Sequence, residues 1–104
     1  MLSMTTWKAR ALSPEQAGRM MDTWGKIEAA QAENPNLERM CWYLAVDGSC
    51  GVTVVKANDV DAANAWGLEV SLALGEFLEM DTKTVLDLES AMPAILKGFE
   101  YGNG

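Results

Sequence analysis

The sequence predicts an α+β domain with a four-stranded antiparallel sheet, and three observations support that fold class. A hairpin motif lies near the middle of the chain, and a capping box begins the first helix. Along the chain, the apolar residues recur every second residue in some segments, as in strands, and every three to four residues in others, as in helices. A chain of 104 residues with 49% hydrophobic content can bury one modest core. We therefore expect a single domain over residues 1–104.

The hairpin covers residues 37–56, and its turn, Asp-Gly-Ser-Cys-Gly at 47–51, begins with a pair typical of hairpins. Both faces of the strand before the turn are apolar. One face carries Met40, Trp42, Leu44 and Val46, and the other carries Cys41, Tyr43 and Ala45. Such a strand is expected at the centre of a sheet, with cover on both sides.

The two cysteines, Cys41 and Cys50, are expected to be free thiols. If the loop closes with Val46 opposite Val52, Cys41 faces Ala57 and lies ~20 Å from the turn that holds Cys50. A disulfide needs Cα atoms ~4.4–6.8 Å apart. Reduced thiols are typical of the cytoplasm, and no apolar run approaches the ~18 residues of a membrane span, so we expect a cytoplasmic protein.

The first strand and the first helix lie before the hairpin. Residues 2–8 alternate as a strand, and we expect this strand to be central. Ser13, Pro14 and Gln16 then form a capping box with proline at the first helical position. The helix that follows ends at Asn-Pro-Asn, residues 34–36, and its apolar stripe includes Met20 and Trp24.

The second half of the chain adds a helix, a strand and a terminal helix. Asp59 caps a helix that ends at Gly75, and residues 77–86 alternate as a strand. A last helix is expected to start near Asp87, with Pro93 bending or delaying it. Its apolar residues Ile95, Leu96 and Phe99 are expected to dock on the body of the domain.

The resulting order, strand, helix, strand, strand, helix, strand, is the ferredoxin-like pattern, with both helices on one face of the sheet. The other face needs cover, and a second copy of the chain is the simplest source of it. We therefore expect a homodimer of the dimeric α+β barrel type. The net charge of −7 argues against nucleic acid and anionic membranes as partners, because eight basic groups face fifteen acidic ones.

Three segments resemble the uncharacterised DUF3303 family. They are the Thr6-Trp7 pair, Tyr-Leu-Ala-Val-Asp-Gly-Ser-Cys-Gly-Val-Thr-Val-Val at 43–55, and Val-Leu-Asp-Leu-Glu-Ser-Ala at 85–91. Cys50 stands where the family usually has glycine, and Pro93 interrupts the last helix. The resemblance implies a dimeric α+β barrel, a group that includes cofactor-independent monooxygenases, polyketide cyclases and pure binding modules.

The residue types exclude several chemistries. The chain has no histidine, which removes Ser-His-Asp and Cys-His catalysis and histidine-ligated haem, zinc or iron. It also has no nucleotide-binding glycine motif, so we expect neither a cofactor nor a metal. Glu79 and Asp81 share a strand face and could hold a hard cation, but with Lys83 they are better explained as a solvated strand edge.

The remaining candidates are aromatic, amide and charged side chains that could line a pocket between sheet and helices. They are Trp7, Arg39, Trp42, Tyr43, Asn64 and Trp66. The same aromatics could instead be ordinary core residues.

These observations lead to two hypotheses about function. The leading hypothesis is a homodimer that binds a small hydrophobic or aromatic molecule. The resemblance extends it to cofactor-independent oxygenation or cyclisation of an aromatic or polyketide-like compound. The alternative is a non-catalytic regulatory or interaction module without a ligand pocket, and whether the protein is an enzyme stays open.

Overall fold

The computed structural model describes residues 1–103 and confirms the predicted ferredoxin-like fold. The elements in chain order are β1 (Leu2–Ala9), α1 (Pro14–Glu33), β2 (Leu37–Leu44), β3 (Cys50–Ala57), α2 (Val60–Leu74), β4 (Leu78–Val85) and α3 (Leu88–Gly102). The four strands form one sheet in the order β2-β3-β1-β4, and every neighbouring pair is antiparallel. β1 is central, as its sequence predicts.

The two long helices begin at the residues expected of them. The Ser13 side chain accepts a hydrogen bond from the Gln16 backbone N–H, and the Gln16 side chain accepts one from the Ser13 backbone N–H. Asp59 caps α2 through the backbone N–H of Ala62. Both helices lie on one face of the sheet, and α1 is held to the loop before β4 by the paired contact of Arg19 with Glu76.

The buried core is small, and most of it is one cluster between sheet and helices. Trp7, Leu74, Phe77 and Leu78 form a single buried cluster. Met20, Trp24, Ile27 and Val70 are among the half-buried residues that pack around it. α1 has no fully buried residue along its length, so this helix does not close the space between itself and the sheet.

The hairpin differs from its expected register. Tyr43 pairs with Val52, and Cys41 pairs with Val54 rather than with Ala57. This register arises because the loop takes up more residues than the turn motif alone suggested, and a bulge between Arg39 and Cys41 then shifts the pairing of the residues before Cys41. The cysteines are nevertheless free thiols, as predicted.

The position of β2 in the sheet also corrects the sequence prediction. β2 is an edge strand, not a central one. The expectation was wrong because two apolar faces show only that a strand needs cover, not which neighbours provide it. In the single chain this cover is missing, since Met40, Tyr43 and Leu44 are each more than half exposed.

The turn is stabilised by Asp47. Its carboxylate accepts hydrogen bonds from the Ser49 hydroxyl (2.6 Å) and the Ser49 backbone N–H (3.0 Å). These bonds, the hydroxyl first, lower the pKa of Asp47. Gly48 provides the positive φ of 75° that the turn requires.

The C-terminal helix corrects a third prediction. α3 starts directly after its cap Asp87 and continues through Pro93, so the proline does not delay it. It does not dock on the body as expected: Leu96 and Phe99 are 60% and 67% exposed. Among the described residues, α3 has at most marginal contact with the other elements.

The sheet face turned away from the helices, here called the outer face, is uncovered. Side chains alternate along each strand, so this face carries Leu2 and Met4 of β1, Cys41 and Tyr43 of β2, and Val52 and Val54 of β3. The β4 side of the face is charged, with Glu79, Asp81 and Lys83. A mainly apolar patch therefore lies open beside a charged rim.

One substitution tests the central contact of this fold. A Cβ atom at Gly51 would overlap the Trp7 indole and lie 2.7 Å from the Tyr43 carbonyl oxygen. We expect Gly51→Ala to lower the free energy of unfolding by ~1–3 kcal/mol, because the indole must move out of a packed position. Urea denaturation measures this change.

Gly25→Ala is the matched control, since a Cβ there meets nothing within 4 Å. It should raise stability by up to ~1 kcal/mol through helix propensity. Equal effects of the two substitutions would contradict the packing of Trp7 against Gly51.

Candidate functional site

A cavity lies between the sheet and the helices α1 and α2. Its empty space measures about 780 Å³ with the open mouth included, and about 70 Å³ of it can hold the centre of a water molecule. A single water needs ~10–15 Å³ on that measure, so the space exceeds a packing defect. Protein interiors are normally filled to crystal density, and this one is not.

Four tryptophans line the cavity: Trp7 from β1, Trp24 from α1, Trp42 from β2 and Trp66 from α2. The Trp24 and Trp42 rings are stacked, with centroids 5.3 Å apart and planes 16° from parallel. Trp7 meets Trp24 edge to face at 5.3 Å. The wall is thus a connected aromatic surface, which favours flat, apolar ligands.

The Trp7 indole N–H does not add to the polar lining. Its Nε1 atom is covered by protein and has no hydrogen-bond partner among the described residues. Trp7 therefore contributes to the cavity through its apolar ring surface.

Hydroxyl groups on the sheet supply the polar part of the lining, from Ser3, Thr5, Thr53 and Thr82. Thr5 and Thr82 are hydrogen-bonded to each other at 2.8 Å, and Thr53 donates to the Cys41 carbonyl oxygen at 3.1 Å. The hydroxyl groups of Thr5 and Thr82 keep free lone pairs, and so could orient a ligand that donates a hydrogen bond.

An ion pair stands at the side of the cavity. Arg39 Nη1 lies 2.7 Å from Glu28 Oε1, and the Arg39 guanidinium carbon lies 4.8 Å from the centroid of the Trp42 ring. Glu28 and Gln31 line the cavity, and Arg39 lines an adjoining hollow together with them. The β2 bulge produces this arrangement, because it places Arg39 and Trp42 on the same face of the sheet.

The structure brings together some of the residues expected from the sequence and separates others. Trp7, Trp42 and Trp66 line the cavity, and Arg39 stands beside it. Tyr43 is 67% exposed on the outer face, and Asn64 lies on an exposed part of α2 outside the lining. The bulge also places Arg39 and Cys41 on opposite faces of the sheet, although strict alternation along β2 would put them on the same face.

Sequence reasoning missed the contribution of α1. Its sequence pattern assigns Trp24 to the core and Glu28 to the side opposite the apolar stripe, but both line the cavity, and so does Gln31. A signal was present, because residues 20, 24, 27, 28 and 31 continue one stripe at helical spacing. Polar residues at the end of an apolar stripe can mark a cavity mouth.

The acidic pair on β4 is engaged with cations. Asp81 lies 3.1 Å from Lys83, and Glu79 lies 3.6 Å from Arg10. Within residues 1–103, no three side chains of the metal-ligating types come together. Nor does any helix in this range combine the length and apolarity needed to cross a membrane.

The fold places the chain in a structural class, the ferredoxin-like α+β proteins. The chain belongs to the family described as "Domain of unknown function (DUF3303)", which matches residues 1–99. No curated protein of known function matches it.

Two solved structures illustrate the class. SnoaB, a cofactor-independent oxygenase from Streptomyces nogalater solved as the mutant N63A, is 13% identical over 84% of this chain and 92% of its own, with a TM-score of 0.60. A dimeric ferredoxin-like protein of unknown function from Thermobifida fusca YX is 14% identical over 82% of this chain and 92% of its own, with a TM-score of 0.44. At these identities the likeness to SnoaB shows a shared fold.

The Arg39 contacts lead to a stability prediction. We expect Arg39→Met to lower the free energy of unfolding by ~1 kcal/mol, because it removes both the Glu28 pair and the cation–π contact with Trp42. Lys83→Met is the control, since its partner Asp81 is exposed, and should cost at most ~0.5 kcal/mol. Equal losses in urea denaturation would show that the Trp42 contact adds nothing.

Proposed function

We propose that this protein binds a small, flat, mainly apolar molecule in the cavity between its sheet and helices. The observation that carries the proposal is an unfilled interior lined by four tryptophans. Large aromatic side chains normally fill small cores, and leaving space beside them forfeits packing energy. A bound molecule would restore that packing, so the hollow has a physical reason if the protein is a binding protein.

We also propose that the protein works as a homodimer in the cytoplasm. The support for the dimer is the outer face, where apolar side chains of β1 and β3 are only half-buried in the single chain and Tyr43 of β2 is exposed. Contiguous exposed apolar patches of this kind mark interaction sites. The two free cysteines support a reducing compartment.

The finer proposal is cofactor-independent oxygenation of an aromatic substrate: SnoaB is a cofactor-independent oxygenase, and the tryptophan-lined cavity favours an aromatic ring. Such a reaction asks the protein to bind a substrate, remove a proton and leave room for oxygen. Glu28 is the one ionisable side chain lining the cavity among the described residues. It is therefore the group that we propose as proton acceptor, with the tryptophans and threonines orienting the ring.

Gly67 provides a test that separates ligand binding from stability. It lines the cavity, and a Cβ there meets nothing within 4 Å. Gly67→Leu should fill part of the cavity and weaken binding of the probe 1-naphthol at least ~10-fold in calorimetric titration, since the two compete for one space. Thermal unfolding should show no loss of stability, because leucine favours the helix by up to ~1 kcal/mol.

Gly18→Leu is the matched control. Gly18 also lies in a long helix with open space at its Cβ position, but it does not line the cavity. This variant should bind 1-naphthol as the wild type does. If no titration of the wild type detects binding of 1-naphthol, or if Gly67→Leu binds it unchanged, the protein is better described as an interaction module whose tryptophans serve packing.

The oxygenase proposal has its own test with dithranol, an anthrone that reacts with O₂ to give the anthraquinone and water. We expect oxygen uptake above the uncatalysed rate, and a fall of ~10²-fold or more in Glu28→Gln, because positioned proton transfer contributes ~10²–10⁴-fold. Binding of 1-naphthol should change little in this variant. Equal uptake by both proteins would remove Glu28 from the chemistry while leaving the binding proposal intact.

A further inference from the structure

The C-terminal helix α3 carries an apolar stripe that nothing in the chain covers. The stripe consists of Leu88, Met92, Ile95, Leu96 and Phe99, which lie at spacings of three and four residues and are 36% to 67% exposed. The charged residues of the helix, Glu89, Lys97 and Glu100, lie off the stripe. This division is typical of a helix that packs against another surface.

The body of the same chain is not that surface. The molecule measures 58 × 30 × 22 Å, and α3, whose 15 residues span ~22 Å at ~1.5 Å each, has at most marginal contact with the other described elements. In the single chain the stripe on α3 therefore faces solvent instead of packing on the rest of the domain. Its partner is therefore expected in another molecule.

The outer face alone makes a small interface. Each strand has eight residues, so four strands at ~4.8 Å spacing and ~3.3 Å per residue cover ~500 Å². Two such faces in contact bury ~1,000 Å² in total, below the ~1,200–2,000 Å² of stable interfaces. The charged β4 rim reduces the apolar part further.

The stripe on α3 supplies the missing area. A helix face ~22 Å long and ~10 Å wide covers ~200 Å². Two arms, each burying its own surface and an equal area of the partner, add ~800 Å². The sum of ~1,800 Å² lies within the range of stable dimers.

We propose that α3 is an exchanged arm: in the homodimer, the stripe of each chain packs against the body of the second copy. This inference rests on the homodimer of the proposed function and extends it. A membrane is a poorer occupant, because α3 carries one lysine against two glutamates on a chain of net charge −7, whereas helices that lie on membranes are rich in basic residues.

A matched pair of aromatic residues on α3 tests the arm. Phe99 lies on the stripe and Tyr101 on the opposite side of the helix, and they are 67% and 73% exposed. In sedimentation experiments over a dilution series, Phe99→Ala should raise the dimer dissociation constant at least ~30-fold, as central interface aromatics do. Tyr101→Ala should change it less than ~3-fold.

A mixed-label experiment identifies the molecule that the arm contacts. Dimers formed from ¹³C-labelled and unlabelled chains should show contacts in filtered nuclear Overhauser spectra between the Phe99 ring of one chain and the body of the other. Contacts only within one chain, or an unchanged dissociation constant in Phe99→Ala, would overturn the exchanged arm. The variant Val54→Asp, which places a charge on the outer face, then shows whether contact between the two sheets contributes to the dimer.

The outcomes separate this inference from the function on which it rests. If the dimer survives Phe99→Ala but is broken by Val54→Asp, the homodimer proposal stands and the exchanged-arm proposal is wrong. If the wild-type protein stays monomeric at every concentration, both the homodimer and the exchanged arm are contradicted. Titration with 1-naphthol in parallel shows whether ligand binding stands in either case.

Discussion

The contact between Trp7 and Gly51 is the constraint on which the rest of the site depends. β1 and β3 pair so that Trp7 lies opposite Gly51, and the absence of a side chain there leaves room for the indole. Held in that position, Trp7 packs with Leu74, Phe77 and Leu78 on one side and meets Trp24 on the other. The same ring thus closes the core and begins the aromatic wall of the cavity.

The cavity follows from how the helices rest on the sheet. Beside the buried cluster, four tryptophan rings share the space between helices and strands with aliphatic residues such as Ile27 and Val55. Rigid rings that stack on one another cannot collapse into the remaining space as leucine or methionine could. The Glu28–Arg39 pair then places charge beside an otherwise apolar hollow.

Burial is incomplete outside the helix–sheet interface as well. The outer face and the stripe on α3 are both apolar and both open, and they belong to different parts of a chain that cannot bring them together. Association of two copies can cover both surfaces, because each copy then provides what the other lacks. Dimerisation and the integrity of the cavity are linked in this view, since the cavity and the outer face are opposite sides of one thin sheet.

The sequence by itself determined the fold class, the starts of α1 and α2 and three of the four tryptophans of the cavity, because capping residues and apolar periodicity are local properties. Only the tertiary structure decided three things. The loop and the β2 bulge set the hairpin register and brought Arg39 beside Trp42, the packing of the helices on only one sheet face left Tyr43 outside the cavity, and α3 was directed away from its own body. Each depends on contacts between residues far apart in the chain, and neither the period of a pattern nor the identity of a turn specifies them.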